Sequence, residues 1–192
     1  TPTIGMLGLI DDVDTVVGSS FPASGLAVVL LGTQRADLGG SEYLHTMKER
    51  IYGDAPYFDM DEELRLQQLT LQAIRDGLVT NAHDVSEGGL LVALAEMTFG
   101  SGVGIDVSIS TEHTAGFLFG ESQSRIIVGV DVQHVDELRR RCETSRVDVD
   151  VIGTTGGSRF VVRNLVDEDV SDLRNVWEGS LPAILSTSIA QV

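Results

Sequence analysis

The six residues LAVVLL, Leu26 to Leu31, are apolar at every position and are closed off by Gly25 on one side and Gly32 on the other. The run is too short for an ordinary helix, and its β-branched valines favour extended backbone, so it predicts a strand. A strand with no polar position has no face to offer to water and belongs inside a sheet. The stretch TIGMLGLIDDV, Thr3 to Val13, is apolar around Gly5 and Gly8 and reads as a second buried strand.

The rest of the chain alternates between helical and extended patterns. SEYLHTMKERIYG predicts a helix capped by Ser41 and stopped by Gly53. Asp59 with Glu62 forms a capping pair for a longer helix, whose apolar face is Leu66, Leu69, Ala73 and Ile74 and whose end is Gly77. LVTNA (Leu78 to Ala82) reads as a strand, and Leu90, Leu91, Leu94, Ala95, Met97 and Thr98 mark the next helix. GIDVSI (Gly104 to Ile109) alternates as a half-buried strand should. RIIVGVD (Arg125 to Asp131) is another strand, followed by a helix capped by Asp131 and ending in Arg139, Arg140 and Arg141, whose charges suit its negative end. VDVDVIG and RFVV are two strands joined by TTGGS, which reads as a hairpin. This order predicts an α+β fold, an α/β sandwich with helices packed on a mixed, largely antiparallel sheet. Residues 1–166 are expected to form the domain, and residues 167–192, acidic and then small and polar around the lone Trp177, a short docking helix with a loose tail.

Composition narrows the function. The 192 residues suffice for one proper core, and no apolar run is long enough to span a bilayer, so a soluble, cytoplasmic protein is expected without a membrane partner. A net charge of −16 argues against a nucleic-acid partner, because a phosphate backbone calls for clustered Lys and Arg. The single cysteine, Cys142, cannot form an internal disulfide, and its spacing with Val135 and Leu138 makes it a core thiol. His45, His113 and His134 show no metal-ligand spacing and are expected at the surface or as caps.

Three stretches could carry chemistry. In AHDVSEGGL, a strand ends in His83-Asp84 and turns through Ser86, Glu87, Gly88 and Gly89 into a helix, leaving backbone N–H groups free at the helix start, where an anion binds well. Ser86 could instead simply cap the helix, and the glycines could serve close packing. Asp84 and Glu87 beside an anion site would make sense as ligands of a Mg²⁺ ion bridging to phosphate oxygens. In LFGESQSR, Glu121 could bind a metal or a ribose, Gln123 could offer its amide to a ligand carbonyl and Arg125 could clamp a phosphate, while Ser122 and Ser124 could satisfy a turn. LGGSEYL, Leu38 to Leu44, is a glycine turn with a serine cap and is weak alone.

TPTIGMLGLIDDV, LGGSEYL, AHDVSEGGL and LFGESQSR, in that order, resemble the C-terminal region of the synthetase subunit of phosphoribosylformylglycinamidine synthases, relatives of aminoimidazole ribonucleotide synthetase. The resemblance runs from Thr1 to about Val130 and implies that fold, that of the aminoimidazole ribonucleotide synthetase C-terminal domain. It implies a reaction in which ATP and Mg²⁺ activate the formyl-amide oxygen of formylglycinamide ribonucleotide and ammonia from a glutaminase displaces phosphate. By motif it assigns Ser86, Gly88, Gly89, Glu121, Ser122, Gln123 and Arg125 to substrate or phosphate binding and Asp84 and Glu87 to metal, with no catalytic residue here. The implied partners are the preceding domains of the same chain, a glutaminase subunit and a small bridging subunit, and these residues alone are not expected to turn over. An alternative is a non-catalytic structural or nucleotide-holding module in the pseudo-symmetric half of such an enzyme. A third reading, a selenophosphate synthetase or hydrogenase-maturation relative, is disfavoured by GESQSR and by the lack of a reactive cysteine loop.

Overall fold

The structure is a computed structural model that describes residues 4–10, 12–109 and 114–189. The apolar run becomes β1 (Leu26–Leu31), third in a seven-stranded sheet ordered β2-β4-β1-β5-β3-β6-β7. The other strands are β2 (Asn81–Asp84), β3 (Ile105–Val107), β4 (Ile126–Asp131), β5 (Val149–Thr155), β6 (Arg159–Val162) and β7 (Val166–Asp169). Every pairing is antiparallel except that of β3 with β6. The expected mixed, largely antiparallel sheet is therefore present.

The apolar character of β1 reflects its two neighbouring layers. Val28 and Leu30 point into one core with Leu90, Ala93, Leu94 and Met97 of α3 (Gly89–Phe99), while Ala27, Val29 and Leu31 point into another. That second core is closed by Leu66, Leu69 and Ala73 of α2 (Met60–Arg75) and by Leu138 and Cys142 of α5 (Val135–Ser145). A strand with successive side chains alternating between two dry cores can carry no polar residue. Asp59 caps α2 as expected, accepting the N–H groups of Asp61 and Glu62 at 2.9 Å each. Among the described residues no helix is long and apolar enough to cross a membrane.

Several sequence expectations are corrected. Residues 4–10 form no strand: Leu7 and Leu9 are fully exposed, and a single 3-10 turn comes after them at Val13–Thr15. A strand needs a pairing edge, and the outer edge of β2 is taken instead by Gly18 and Ser19, whose carbonyls accept the Ala82 N–H and the Asn81 side-chain amide. The strand expected over Leu78 to Ala82 is shifted on to Asn81–Asp84. VDVDVIG and RFVV are not a hairpin, because β3 lies between them; Gly104, just before β3, exchanges backbone bonds with Gly156 and Gly157 of the connecting turn. Arg139, Arg140 and Arg141 lie inside α5, which runs on to Ser145, and Arg140 and Arg141 pair with Glu137 rather than with the helix end. Asp131 caps nothing with its side chain, since a 3-10 turn, Val132–His134, precedes α5.

Near the C-terminus, the expected boundary at 166/167 falls inside β7, which pairs with β6, and Val170 is buried in the first core. From Val170 the chain continues as α6 (Val170–Ile189), twenty residues rather than a short helix. Two further elements have no counterpart in the sequence expectations, β7 and α4 (Thr114–Phe119). The helix started by Ser41 is α1 (Glu42–Lys48), and it stops at Glu49 in the left-handed region rather than at Gly53. His113 lies outside the described residues.

Candidate functional site

The three motif stretches, distant in sequence, meet at one carboxylate. Glu121 Oε1 accepts the backbone N–H of Gly88 at 2.9 Å and that of Glu42, the first residue of α1, at 2.8 Å. Each contact follows from local sequence. Ser41 is the N-cap of α1, accepting the Leu44 N–H at 3.4 Å and donating to the Leu38 carbonyl at 2.6 Å, so the helix start is fixed where Glu121 can reach it. The side of α1 is held by Tyr43, which stacks on Phe119 of α4 at 4.8 Å between ring centroids.

Gly88 is the N-cap of α3 and has φ +80°, while Gly89 has φ +74°. A Cβ on Gly89 would stand 2.7 Å from both the Gly120 carbonyl oxygen and the Phe119 carbonyl carbon, so only glycine lets α3 start against this turn. Ser86 is exposed and makes no side-chain cap; its carbonyl accepts the Gly89 N–H at 3.0 Å. The capping role open to Ser86 thus falls to Gly88. The N–H groups of the expected phosphate cradle are engaged within the chain, Gly88 by Glu121 and Gly89 by Ser86.

The Gly120–Ser122 turn is tied down on its inner side. The Gly120 N–H donates to the Gly116 carbonyl at 2.9 Å and the Glu121 N–H to the Asp37 carbonyl at 3.1 Å, while the Asp37 N–H reaches Ser122 Oγ at 3.3 Å. Ser122 is fully buried, and so is Arg125, at 2% exposure. The Arg125 Nε donates to the Ser122 carbonyl at 3.1 Å and its Nη2 to the Gly120 carbonyl at 2.6 Å. Desolvation lowers the Arg125 guanidinium to about 10, opposed by the charge of Asp37, so it remains protonated at neutral pH. The guanidinium expected to clamp a phosphate faces backbone carbonyls in the interior instead. Arg125 Nη1 and Asp37 Oδ2 are both buried without a hydrogen-bond partner.

Beside this junction, Asp84, Ser86, Gln123, Ser124 and Arg125 share a pocket of about 290 Å³ with Glu63 and Gln67 of α2. Ser124, at φ +60°, donates to Glu63 at 2.6 Å, and exposed Gln123 turns its amide back to the Glu121 carbonyl at 3.3 Å. A larger groove of about 570 Å³ between α2 and α5 contains none of the motif residues, so volume alone does not mark the candidate site.

Asp84 and Glu87 are exposed, and the two are not joined by a third ligand: among the described residues no group of three or more His, Cys, Asp or Glu could hold a metal ion. His83, next to Asp84, is used elsewhere, with Nδ1 2.6 Å from the Asp84 carbonyl and Nε2 3.4 Å from Glu96. The chain's own described residues do not by themselves fit Mg²⁺. Asp37 and Glu42 were not singled out from sequence; the acid of ADLGG, immediately before the glycine turn, was the signal available for Asp37.

A mixed seven-stranded sheet between two helical layers, with a glycine-started helix docked on a polar turn at one end, defines the class. The chain belongs to the family described as AIR synthase related protein, C-terminal domain, which matches residues 23–164. It is 34% identical over 192 residues to phosphoribosylformylglycinamidine synthase subunit PurL of Alkaliphilus metalliredigens (strain QYMF), covering 97% of this chain and 26% of that protein. The chain thus spans about a quarter of the length of that relative. Among solved structures it is similar to the PurL of Thermotoga maritima complexed with FGAR, with a TM-score of 0.71 and 23% identity over 84% of this chain and 30% of that one. The same protein complexed with ATP gives a TM-score of 0.65 and 22% identity over 84% of this chain and 28% of that one. At these identities the structures share the fold.

Proposed function

We propose that this chain is the C-terminal part of the synthetase subunit of a phosphoribosylformylglycinamidine synthase, a cytoplasmic ATP-dependent carbon–nitrogen ligase of purine biosynthesis. The observation that carries the reading is the 34% identity to a PurL subunit along 97% of this chain, with the distant motifs converging on Glu121. The longer protein would convert formylglycinamide ribonucleotide to the amidine with ATP and ammonia, the ammonia supplied by a glutaminase subunit and the assembly completed by a small bridging subunit.

In this reading the 290 Å³ pocket is this chain's share of the ligand site, with Ser86 and Gln123 on its accessible side. Glu121, Ser122 and Arg125 shape that side from within. Asp84, whose Oδ1 lies 3.6 Å from His83 Nδ1, and Glu87 are exposed and open to ligands shared with other parts of a longer chain; Mg²⁺ enters only with such ligands. ATP supplies the phosphoryl group that activates the amide oxygen, and this chain's contribution is to orient the turn against which a ligand rests.

A second reading, a structural or nucleotide-holding half, is favoured by one observation: the N–H groups of the glycine turn are already satisfied by Glu121 and Ser86. One experiment tests both. The chain is combined with the rest of the synthetase, and ammonia-dependent ADP release is followed with formylglycinamide ribonucleotide, with and without Gln123→Ala and Asp84→Ala. Turnover that both substitutions depress supports the ligand-site reading. Turnover indifferent to both supports the structural half, and no turnover under any condition removes the synthase assignment.

A further inference from the structure

We infer that Arg125 is a positioning residue, a buried fork that fixes the Gly120–Ser122 turn and thereby places the Glu121 carboxylate where it joins the Gly88 turn to the start of α1. The inference rests on the reading above that this junction belongs to a ligand site, and it assigns Arg125 a different task from touching the ligand.

The geometry sets out the relay atom by atom. Nη2 takes the Gly120 carbonyl and Nε the Ser122 carbonyl, so one planar group bridges the two residues that flank Glu121. The peptide unit between Gly120 and Glu121 is held at both ends, its oxygen by Arg125 and its N–H by the Asp37 carbonyl. With that plane fixed and Ser122 buried beneath it, the Glu121 side chain leaves the turn in one direction, toward the N–H groups of Gly88 and Glu42. The same Gly120 oxygen is the atom that a Cβ at Gly89 would meet, so Arg125 also holds the surface on which α3 begins.

A guanidinium is expensive to bury, and a lone hydrophobic side chain of similar length would fill the space without that cost. What an apolar residue could not do is take two carbonyls at a fixed spacing. Lysine would keep the charge but not the fork. The nearby Asp37 carboxylate offsets part of the burial without making a direct hydrogen bond to the guanidinium, which leaves the fork free for the turn.

The test is amide hydrogen exchange of the 192-residue chain, resolved by nuclear magnetic resonance, for Arg125→Met, Arg125→Lys, Glu121→Ala and the two Arg125 variants combined with Glu121→Ala. Both Arg125 variants should speed exchange at the Gly88 and Glu42 amides about tenfold or more relative to core amides such as Val28 and Val128. In the Glu121→Ala background the same substitutions should add less than about twofold at those two amides, because the carboxylate through which Arg125 acts is gone. If Arg125→Met does not fold, Arg125→Lys carries the comparison. Unchanged exchange at Gly88 and Glu42 in the Lys variant, or an equal effect with and without Glu121, would show that Arg125 only fills the core and would overturn the inference. Exchange does not read turnover, so this result stands apart from whether the longer protein proves to be a synthase.

Discussion

Replacing Gly89 with alanine isolates the reason for the glycine pair. The residue sits at φ +74°, where an L side chain costs about 1–2 kcal/mol. Its Cβ would also lie 2.7 Å from the Gly120 oxygen and the Phe119 carbon, backbone atoms that cannot rotate away, and forced overlap of this kind costs about 1–3 kcal/mol. Together the substitution should destabilise by about 2–5 kcal/mol, a fall of roughly 4–20 °C in melting temperature for a chain of this size. Two glycines elsewhere separate the contributions. Gly77 has φ +70° with nothing within 4 Å of a Cβ, so Gly77→Ala should show the backbone cost alone, about 1–2 kcal/mol. Gly156 has open space and no such φ, so Gly156→Ala should be neutral or slightly stabilising. The assay is thermal unfolding by circular dichroism of the three variants and the parent. Should Gly89→Ala melt with Gly77→Ala, the close approach of α3 to the turn is not a constraint, and the pair would have to be explained by ligand approach.

Glu121→Ala strands the Gly88 and Glu42 N–H groups and should lower stability by about 1.5–3 kcal/mol in urea titrations, with Glu121→Gln losing less because an acceptor remains. Ser41→Ala removes the α1 cap and should cost about 1 kcal/mol by the same titration. Burial pushes the Cys142 thiol from 9.0 up to about 11; the unfolded thiol therefore ionises first, and stability should fall by up to roughly 2–3 kcal/mol as pH rises from 9 to 11. That slope should vanish in Cys142→Ala. The Asp106 carboxyl is held below its ordinary value by hydrogen bonds from Arg163, so its contribution is complete above the unfolded value near 4 and is lost as pH falls through the lower folded value. In Arg163→Ala its carboxyl resonance should titrate at higher pH; an unmoved titration would exclude that cause.

Whatever periodicity and local chemistry decide could be read along the chain. LAVVLL could only be a buried strand, Asp59 could cap α2 by its spacing to Glu62, and Cys142 fell on the apolar face of α5. The four ordered motifs pointed to the family that matches residues 23–164. These features depend on contacts within a few residues, or on a pattern that repeats with the element itself.

Pairing and packing were decided only in three dimensions. Nothing in VDVDVIG or RFVV announces that β3, more than forty residues earlier, will insert between them, because strand order is set by which apolar faces must share a core. Residues 4–10 carry the composition of a strand but join no strand of the sheet and stay exposed. Arg125 is the clearest case: in GESQSR its charge suggests a surface clamp, and only the fold turns it inward, onto the two carbonyls of its own loop. Sequence determined which residues could do chemistry here; the tertiary structure decided which face of the turn each would serve, because burial and hydrogen-bond satisfaction are settled by neighbours remote in sequence.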